Sequence, residues 1–255
     1  FRYGKSEYSF DKSTKSIYKG MQSIKFLNKN CADELYNLRD FPYNTFTDLL
    51  YDIKNTSVNS RQLNILIKLD FFSEFGNSKE LLKITEMFNY FKQGDSKSMK
   101  KEKIDNDQIL YSIIQRNSVE SNKSFLKLQT YNILKECEEY LRCQNIQDFS
   151  YKDKILTQLE FLGYINMCTH SEDENERRKL VVLNVRPIMD NYSKIKGKVW
   201  KYNIKTQSIG SGKQGVFYMS SELFDQEPIG QYDIIFAEHV YQNKGYWNIG
   251  SYHHI

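Results

Sequence analysis

Apolar residues recur every three to four positions through the first ninety residues, a spacing typical of amphipathic helices. The first stripe consists of Ile17, Met21, Ile24 and Leu27, and the second of Cys31, Ala32, Leu35 and Leu38. The polar segment Asn28-Lys29-Asn30 separates the stripes, which therefore predict a short helical hairpin. Further helices are predicted after Thr45, which can cap its helix, and after the Gly76-Asn77-Ser78 break.

The pattern changes twice further along the chain. Residues 93–106 lack apolar periodicity and are rich in Lys, Ser and Asp, which predicts a basic linker between one helical region at 1–92 and another at 107–170. After the charged break at 171–179, the apolar period shortens from about 3.6 to about 2. Five short β-rich runs then predict a small β-barrel or sandwich at 180–255, with Gly210-Ser211-Gly212 as a hairpin loop. The predicted fold class is α+β, helical first and β last.

Composition restricts the class of protein. No run approaches the ~20 apolar residues that cross a membrane, and residues 1–10 lack a secretory signal, so we expect a cytoplasmic protein with no membrane partner. Four cysteines without a Cys-x-x-Cys pair are expected to stay reduced. Lys and Arg number 36 against 32 Asp and Glu, and the resulting charge of +4 permits DNA binding without arguing for it. Because the sequence starts at Phe1, we expect part of a longer protein.

No group of residues in the sequence indicates catalysis. Two-metal phosphoryl transfer needs aspartates on adjacent strands, yet the one Asp-x-Asp sequence, Asp105-Asn106-Asp107, lies in the polar linker. A Gly-x-x-x-x-Gly-Lys phosphate loop, a nucleophile elbow and zinc-ligand spacing are also missing from the sequence. We therefore assign no catalytic residue, no metal ligand and no cofactor to these residues.

Two turns in the first helical region are candidates for DNA contact. In a helix-hairpin-helix, backbone N–H groups at the start of the second helix bind a DNA phosphate without reading the base sequence. Such turns normally contain glycine, whereas this chain has Phe26 and Asn28 in the first turn and Asp70 in the second. Asn and Asp tolerate the left-handed backbone, so the turns can form. Hairpins without glycine are also common as plain packing elements.

Several segments follow one another in an informative order. They are Ile17-Tyr18-Lys19-Gly20-Met21-Gln22-Ser23-Ile24-Lys25, the helix ending at Leu38-Arg39, Tyr43-Asn44-Thr45-Phe46-Thr47-Asp48-Leu49-Leu50, Leu66-Ile67-Lys68-Leu69-Asp70-Phe71-Phe72-Ser73-Glu74-Phe75-Gly76 and Gln158-Leu159-Glu160-Phe161-Leu162-Gly163-Tyr164. In this order the chain resembles the carboxy-terminal portion of the bacterial C-family DNA polymerase III alpha subunit, mainly over residues 1–92. The resemblance implies the end of the fingers region, a tandem helix-hairpin-helix on duplex DNA and a terminal five-stranded OB-like barrel.

The resemblance also implies particular contacts. It places the DNA-binding residues in the turns 25–29 and 68–72, at Lys25, Asn28, Lys29, Lys68 and Asp70. The Mg²⁺ ions and nucleotidyltransferase activity of the family would belong to a palm absent from these residues, so enzymatic activity of the chain stays open. Gln158-Leu159-Glu160-Phe161-Leu162 has the form of the family's sliding-clamp peptide, although Leu159 and Leu162 lie on an apolar helix face.

Basic and aromatic residues provide further candidate surfaces. Lys213, in the glycine-rich loop, is available for a phosphate, and a lysine cluster in the linker can either follow a DNA backbone or simply be solvated: Lys97, Lys100, Lys101 and Lys103. Aromatic residues of the barrel can stack on single-stranded bases or fill the core. Strand alternation places Trp200 and Tyr202 on one face with Ile204, which favours the core.

These observations support one leading hypothesis and one alternative. The leading hypothesis is a non-catalytic, carboxy-terminal part of a replicative DNA polymerase III alpha subunit that binds DNA non-specifically during replication. The alternative is a protein-interaction scaffold of a replisome or phage assembly without DNA affinity of its own.

Overall fold

The computed structural model describes residues 4–13, 15–92, 98–100, 108–122, 125–166, 171–190 and 197–255. The chain divides into two units, Phe1–Phe149 and Ser150–Ile255, called here the first and second units. Helices predominate in the first unit and strands in the second, as the sequence predicts.

The first unit consists mainly of helices, with two small antiparallel sheets. Its elements in chain order are β1 (Ser9–Asp11), β2 (Ser16–Tyr18), a 3-10 helix (Met21–Ser23), α1 (Lys29–Asn37), α2 (Phe46–Ile53), α3 (Ser60–Lys68), a second 3-10 helix (Ser73–Phe75), α4 (Ser78–Lys92), β3 (Ser98–Lys100), α5 (Gln108–Arg116), β4 (Ser118–Asn122), β5 (Phe125–Leu128) and α6 (Thr130–Cys143). β1 pairs with β2, and the other sheet has the order β3-β5-β4.

Helices α2, α3 and α4 begin at side chains that accept hydrogen bonds from the first turn. Thr45 caps α2 in a capping box with Asp48, which confirms the predicted cap. Asn59 and Gln62 form the equivalent box at α3. At α4, Asn77 accepts a hydrogen bond from the Glu80 backbone N–H at 2.9 Å. Each such cap contributes about 1 kcal/mol, so these starts are encoded locally.

Buried apolar faces hold the helices together. Phe46 is fully buried and packs its ring 5.6 Å from Phe72 and 5.8 Å from Phe75, centroid to centroid. A second cluster joins α5, β5 and α6 through Ile114, Leu126 and Ile133. Burying each such side chain stabilises the fold by roughly 1.5–3 kcal/mol, which makes these clusters the main source of stability.

Two charged side chains of α6 complete the start of α2. The Glu138 carboxylate, only 1% exposed, accepts the backbone N–H groups of Phe46 at 2.9 Å and Thr47 at 2.8 Å. Lys135 Nζ lies 2.9 Å from Asp48 Oδ2. Burial alone would raise the pKa of Asp48, but hydrogen bonds from Lys135, Tyr131 and Thr45 lower it. This pairing therefore stabilises the fold at neutral pH and is lost as the pH falls through the lowered pKa.

The structure differs from the predicted helices in two places. Ser16–Tyr18 is a strand and Met21–Ser23 a single 3-10 turn, so a continuous helix does not precede the first hairpin turn. At 118–128, where the spacing of apolar residues predicts a helical region, the chain forms strands β4 and β5. Phe125 and Leu128 are three residues apart, as in a helix, but Leu126 and Leu128 are the buried pair, with the two-residue period of a strand.

Over its described residues, the second unit is a barrel with three helices. Its elements in chain order are α7 (Tyr151–Leu162), α8 (Glu174–Arg178), β6 (Lys179–Met189), β7 (Val199–Ser208), β8 (Gln214–Ser220), α9 (Ser221–Gln226), β9 (Ile234–Asn243) and β10 (Tyr246–His254). The strands close in the order β10-β8-β7-β6-β9, with β8 and β10 parallel and the other pairs antiparallel. The predicted five-stranded barrel is confirmed, and its order with a helix between the third and fourth strands is OB-like.

The barrel has an apolar interior and one helix packed outside it. Val182, Ile204 and Ile235 are fully buried at its centre. Ile155 of α7 packs with Val181, Ile209 and Ile234, so α7 belongs to the barrel unit. The predicted hairpin loop is also confirmed, because residues 209–213 connect the antiparallel β7 and β8. Across the described parts of the chain, no helix is both long and apolar enough to span a bilayer.

Candidate nucleic-acid interface

The first hairpin turn, residues 24–28, connects the 3-10 helix to α1. Phe26 adopts φ +71°, and Asn28 is an extended N-cap with φ −115°. The left-handed residue is therefore Phe26, whereas residue type alone predicts the left-handed backbone at Asn28. The Asn28 side chain accepts the Cys31 backbone N–H at 2.9 Å. The first backbone N–H groups of an α-helix have no hydrogen-bond partner within that helix. In α1 these groups include those of Lys29 and Asn30, and an anion can bind them at the end of the helix.

The second hairpin turn, residues 69–77, follows α3. The Phe71 N–H donates to the Leu66 carbonyl and the Asp70 N–H to the Ile67 carbonyl, both at 3.0 Å. This is the Schellman pattern, with Asp70 at φ +59° in the position that usually holds glycine. The Asp70 carboxylate lies 2.7 Å from Ser78 Oγ at the start of α4. Asp70 therefore shapes the turn, as its residue type predicts.

Predicted contact lysines lie at the surface of both turns. Lys25 and Lys29 flank the first turn and are exposed, and Lys29 Nζ lies 3.3 Å from the exposed Glu7 carboxylate. Lys68 is the last residue of α3 and is also exposed. A surface pair such as Lys29–Glu7 contributes about 0–1 kcal/mol, so it is readily exchanged for a phosphate.

A second candidate surface lies on the barrel. It consists of aromatic, basic and amide side chains from β7, β8, β9 and β10 around a groove of about 410 Å³. We call it the aromatic face and define it by Trp200, Lys201, Tyr218, Tyr241, Tyr246 and Asn248. Asn243, Lys244, Ser220, Met219 and Glu222 complete the lining.

Lys201 organises the aromatic face. Its Nζ lies 4.3 Å from the centroid of the Trp200 ring and 4.2 Å from that of Tyr218. Tyr246 meets Tyr218 edge to face, with 5.3 Å between centroids. Trp200 is 52% exposed and Tyr246 57% exposed. A cation held between exposed aromatic rings is suited to a ligand with flat π-systems and negative charge.

The turn between β9 and β10 borders the aromatic face. Lys244 has φ +49° and Gly245 φ +84°, the two left-handed residues of a type I′ hairpin turn. This turn closes the ladder at Asn243 and Tyr246, which are direct partners. Lys244 therefore lies at the tip, beside the groove it lines.

The predicted core position of Trp200 was wrong. Tyr202 is half-buried and stacks on Phe224 with 3.7 Å between centroids, and Ile204 is fully buried, as alternation predicts. Met189 pairs with Val199 and Ile188 pairs with Lys201, so the register between β6 and β7 shifts at Trp200. A bulge of this kind breaks strict alternation, so Trp200 does not share the inner face with Tyr202.

Lys213 lies apart from the aromatic face. It is exposed at the end of the β7–β8 loop and lines a cleft of about 320 Å³ with Arg177, Ser171, Ser211, Gly210 and Glu172. Arg177 Nε donates to the Ser171 carbonyl at 3.1 Å. The cleft combines two cations with one carboxylate, so Lys213 stays a predicted phosphate contact.

Other segments named in the sequence analysis lie outside the described residues or inside a helix. Lys97, Lys101, Lys103 and Asp105-Asn106-Asp107 lie outside the described residues, and of Lys100 only the backbone, in β3, is described. Gln158 Oε1 accepts the Asn166 N–H at 2.7 Å, and Leu159 packs beside Ile155. The proposed clamp peptide is thus built into α7, and nothing supports a clamp partner. Within the described ranges, no group of three His, Cys, Asp or Glu side chains is arranged to hold a metal ion.

Comparison with known proteins agrees with the first unit's turns. A family model described as a helix-hairpin-helix motif matches residues 4–82, a span that includes both turns. Among curated proteins, no match to the chain is found. The helix-hairpin-helix is a general DNA-binding element, so the match indicates nucleic-acid binding.

Proposed function

We propose that the chain binds DNA at two surfaces, the hairpin turns of the first unit and the aromatic face of the barrel. The observation that carries the proposal is the helix-hairpin-helix match over residues 4–82, because it coincides with two turns that present exposed lysines. The proposal does not require sequence recognition, since phosphate contacts carry no base information.

At the hairpin turns, phosphates are the ligands. The N-terminus of α1 supplies backbone N–H groups and a favourable helix dipole, and Lys25 and Lys29 add positive charge beside it. Lys68 does the same beside the second turn. Asn28 and Asp70 contribute by fixing the backbone of the turns through their side-chain hydrogen bonds. The Asp70 carboxylate does not bind phosphate itself, because it would repel one that approached it directly.

At the aromatic face, unpaired bases are the ligands. Bases in a duplex have both faces covered by their neighbours, whereas a single strand can stack on Trp200 and Tyr246. Lys201 and Lys244 lie where the backbone of that strand would need positive charge. OB-like barrels bind oligonucleotides on the equivalent strands and loops.

The finer proposal is that the chain is the non-catalytic carboxy-terminal part of a replicative DNA polymerase III alpha subunit. The order of sequence segments supports it, together with the helix-hairpin-helix match and the OB-like barrel. The described residues do not fit a magnesium pair, so nucleotide transfer would require a palm elsewhere. Coding sequence preceding Phe1 tests this, because palm aspartates are expected there.

Binding of the full chain to primed DNA should weaken steeply with salt. Each phosphate contact contributes a slope of about −0.9 to log K against log salt. Changing Lys68→Glu should weaken binding to all base sequences alike and make the slope less negative by about one. Fluorescence anisotropy between 50 and 200 mM salt, a range over which six to ten such contacts together would weaken binding by roughly 10³–10⁵-fold, measures both quantities.

The matched control is Lys127→Glu. Lys127 is an exposed lysine on β5 and lies outside residues 4–82. It makes the same charge change and should leave the slope nearly unaltered. Equal effects of the two variants would show that net charge, and not the second turn, sets the affinity. No detectable binding at low salt would refute the DNA proposal and favour the protein-scaffold alternative.

A further inference from the structure

The first hairpin turn presents a large aromatic side chain where a phosphate-binding turn normally has glycine. Phe26 is 51% exposed and has φ +71°. A left-handed backbone is unfavourable for a residue with a side chain, because the Cβ atom then lies too close to the following carbonyl oxygen. An aromatic ring kept both in that conformation and at the surface is an outlier from which a functional hypothesis can start.

A buried glutamine fixes the backbone of this turn. Gln62 Nε2 donates to the Phe26 carbonyl at 2.9 Å, and Gln62 Oε1 accepts from the Asn59 N–H at 3.0 Å and Cys31 Sγ at 3.2 Å. Gln62 is 5% exposed and sits in the capping box of α3. The backbone of Phe26 is therefore tied through Gln62 to the starts of both α3 and α1.

The Phe26 ring also contacts a cation, Arg61, and two lysines are close to it in the sequence. The Arg61 guanidinium carbon lies 3.6 Å from the centroid of the Phe26 ring, and Arg61 is exposed. Lys25 precedes Phe26 and Lys29 follows it at the start of α1. The turn thus carries an aromatic ring in contact with a guanidinium group, with exposed lysines one residue before and three residues after the ring.

This chemistry points to a base as well as a phosphate. A side chain at position 26 limits the approach of a phosphate to the backbone of that residue, whereas aromatic and guanidinium planes are the groups on which unpaired bases stack. We propose that the first turn is a stacking site for one unpaired nucleobase, bound by Phe26 and Arg61 while Lys25 and Lys29 bind its flanking phosphates. The inference rests on the proposed DNA-binding function and names the form of DNA that this turn recognises.

Two DNA molecules with nearly equal charge test this inference. One is a fully paired duplex, and the other is the same duplex with a single bulged 2-aminopurine. The full chain carrying Trp200→Ala and Tyr246→Ala removes stacking at the barrel. In that background we expect about tenfold tighter binding of the bulged DNA, which is within the roughly 5- to 150-fold that one stacked base contributes. The 2-aminopurine fluorescence should fall on binding.

Variants at position 26 separate the ring from the backbone. Phe26→Gly allows the left-handed conformation without strain and should bring the affinity ratio close to one. Phe26→Trp keeps a stacking surface and should preserve the ratio. Far-ultraviolet circular dichroism confirms that both variants fold.

The outcomes distinguish this inference from the function on which it rests. Salt-dependent duplex binding with no preference for the bulge would overturn only the stacking site. A preference that persists in Phe26→Gly would also overturn it. Loss of all DNA binding in the background chain, with the unaltered chain inactive too, would overturn both.

Discussion

Replacing Trp200 and Tyr246 together by alanine should weaken binding of a single-stranded oligonucleotide by about 100-fold. An aromatic ring that stacks on a base contributes roughly 1–3 kcal/mol, and both rings line the groove and are more than half exposed. The removed side chains contribute little to the barrel core, whose centre is formed by Val182, Ile204 and Ile235. The double variant is therefore expected to fold, and anisotropy of a labelled oligothymidine measures the affinity.

Trp247 provides the matched control for this experiment. It neighbours Tyr246 on β10 and is 51% exposed, but it does not line the groove. Trp247→Ala should change affinity less than twofold, because it removes no stacking partner from the aromatic face. In a Trp247→Phe chain, Trp200 is the single tryptophan, and its fluorescence should be quenched by the oligonucleotide. A folded double variant with unchanged affinity would contradict the role of the aromatic face.

Glu138→Ala should lower the free energy of unfolding of the first unit by roughly 3–5 kcal/mol. The carboxylate is buried, accepts the first N–H groups of α2, and pairs with Arg142 Nη2 at 2.7 Å. Its removal leaves buried donors at Phe46 and Thr47 without their acceptor, and this penalty exceeds the value of the bonds themselves. Glu139→Ala, at the exposed neighbour on α6, should change stability by less than about 0.5 kcal/mol.

Two spectroscopic signals separate the units in this measurement. Both tryptophans, Trp200 and Trp247, lie in the second unit, whereas helices dominate the first. In urea, the circular dichroism transition of Glu138→Ala should move to lower concentration while the tryptophan fluorescence transition stays in place. A shift of both transitions by the same amount would mean that the units unfold together, and no shift of either transition would contradict the stabilising role of Glu138.

Local signals explain which parts of the fold were predictable. Thr45 and Asn77 each cap a helix through a side chain three residues from its partner, and the β-rich runs after Leu180 carry their period in adjacent residues. Asp70 was assigned to a left-handed turn from its residue type, and its φ of +59° agrees. Such features depend on a few neighbouring residues, which a sequence displays directly.

Long-range features were not accessible in this way. Glu138 caps a helix that begins 92 residues earlier, and no local pattern marks that partnership. The exposure of Trp200 depends on a shift of register against β6, which reverses an alternation argument. The candidate residues Lys25, Lys29 and Lys68 could be named from turns alone, whereas Arg61 enters through its contact with Phe26 across the fold.

The strand pair that closes the barrel also carries part of the proposed DNA-binding surface. β8 and β10 are joined in parallel by one bridged pair, Tyr218 with Asn248, while the other strand pairs have longer antiparallel registers. The aromatic face spans this seam, with Tyr218 on one side and Tyr246 on the other. A ligand that binds only the closed form raises the free energy of opening by RT ln(1 + [L]/Kd), where [L] is the concentration of free ligand. A DNA strand stacked across both tyrosines would thus act as a sixth, non-covalent connection in the barrel and slow exchange of the amide protons along β8 and β10.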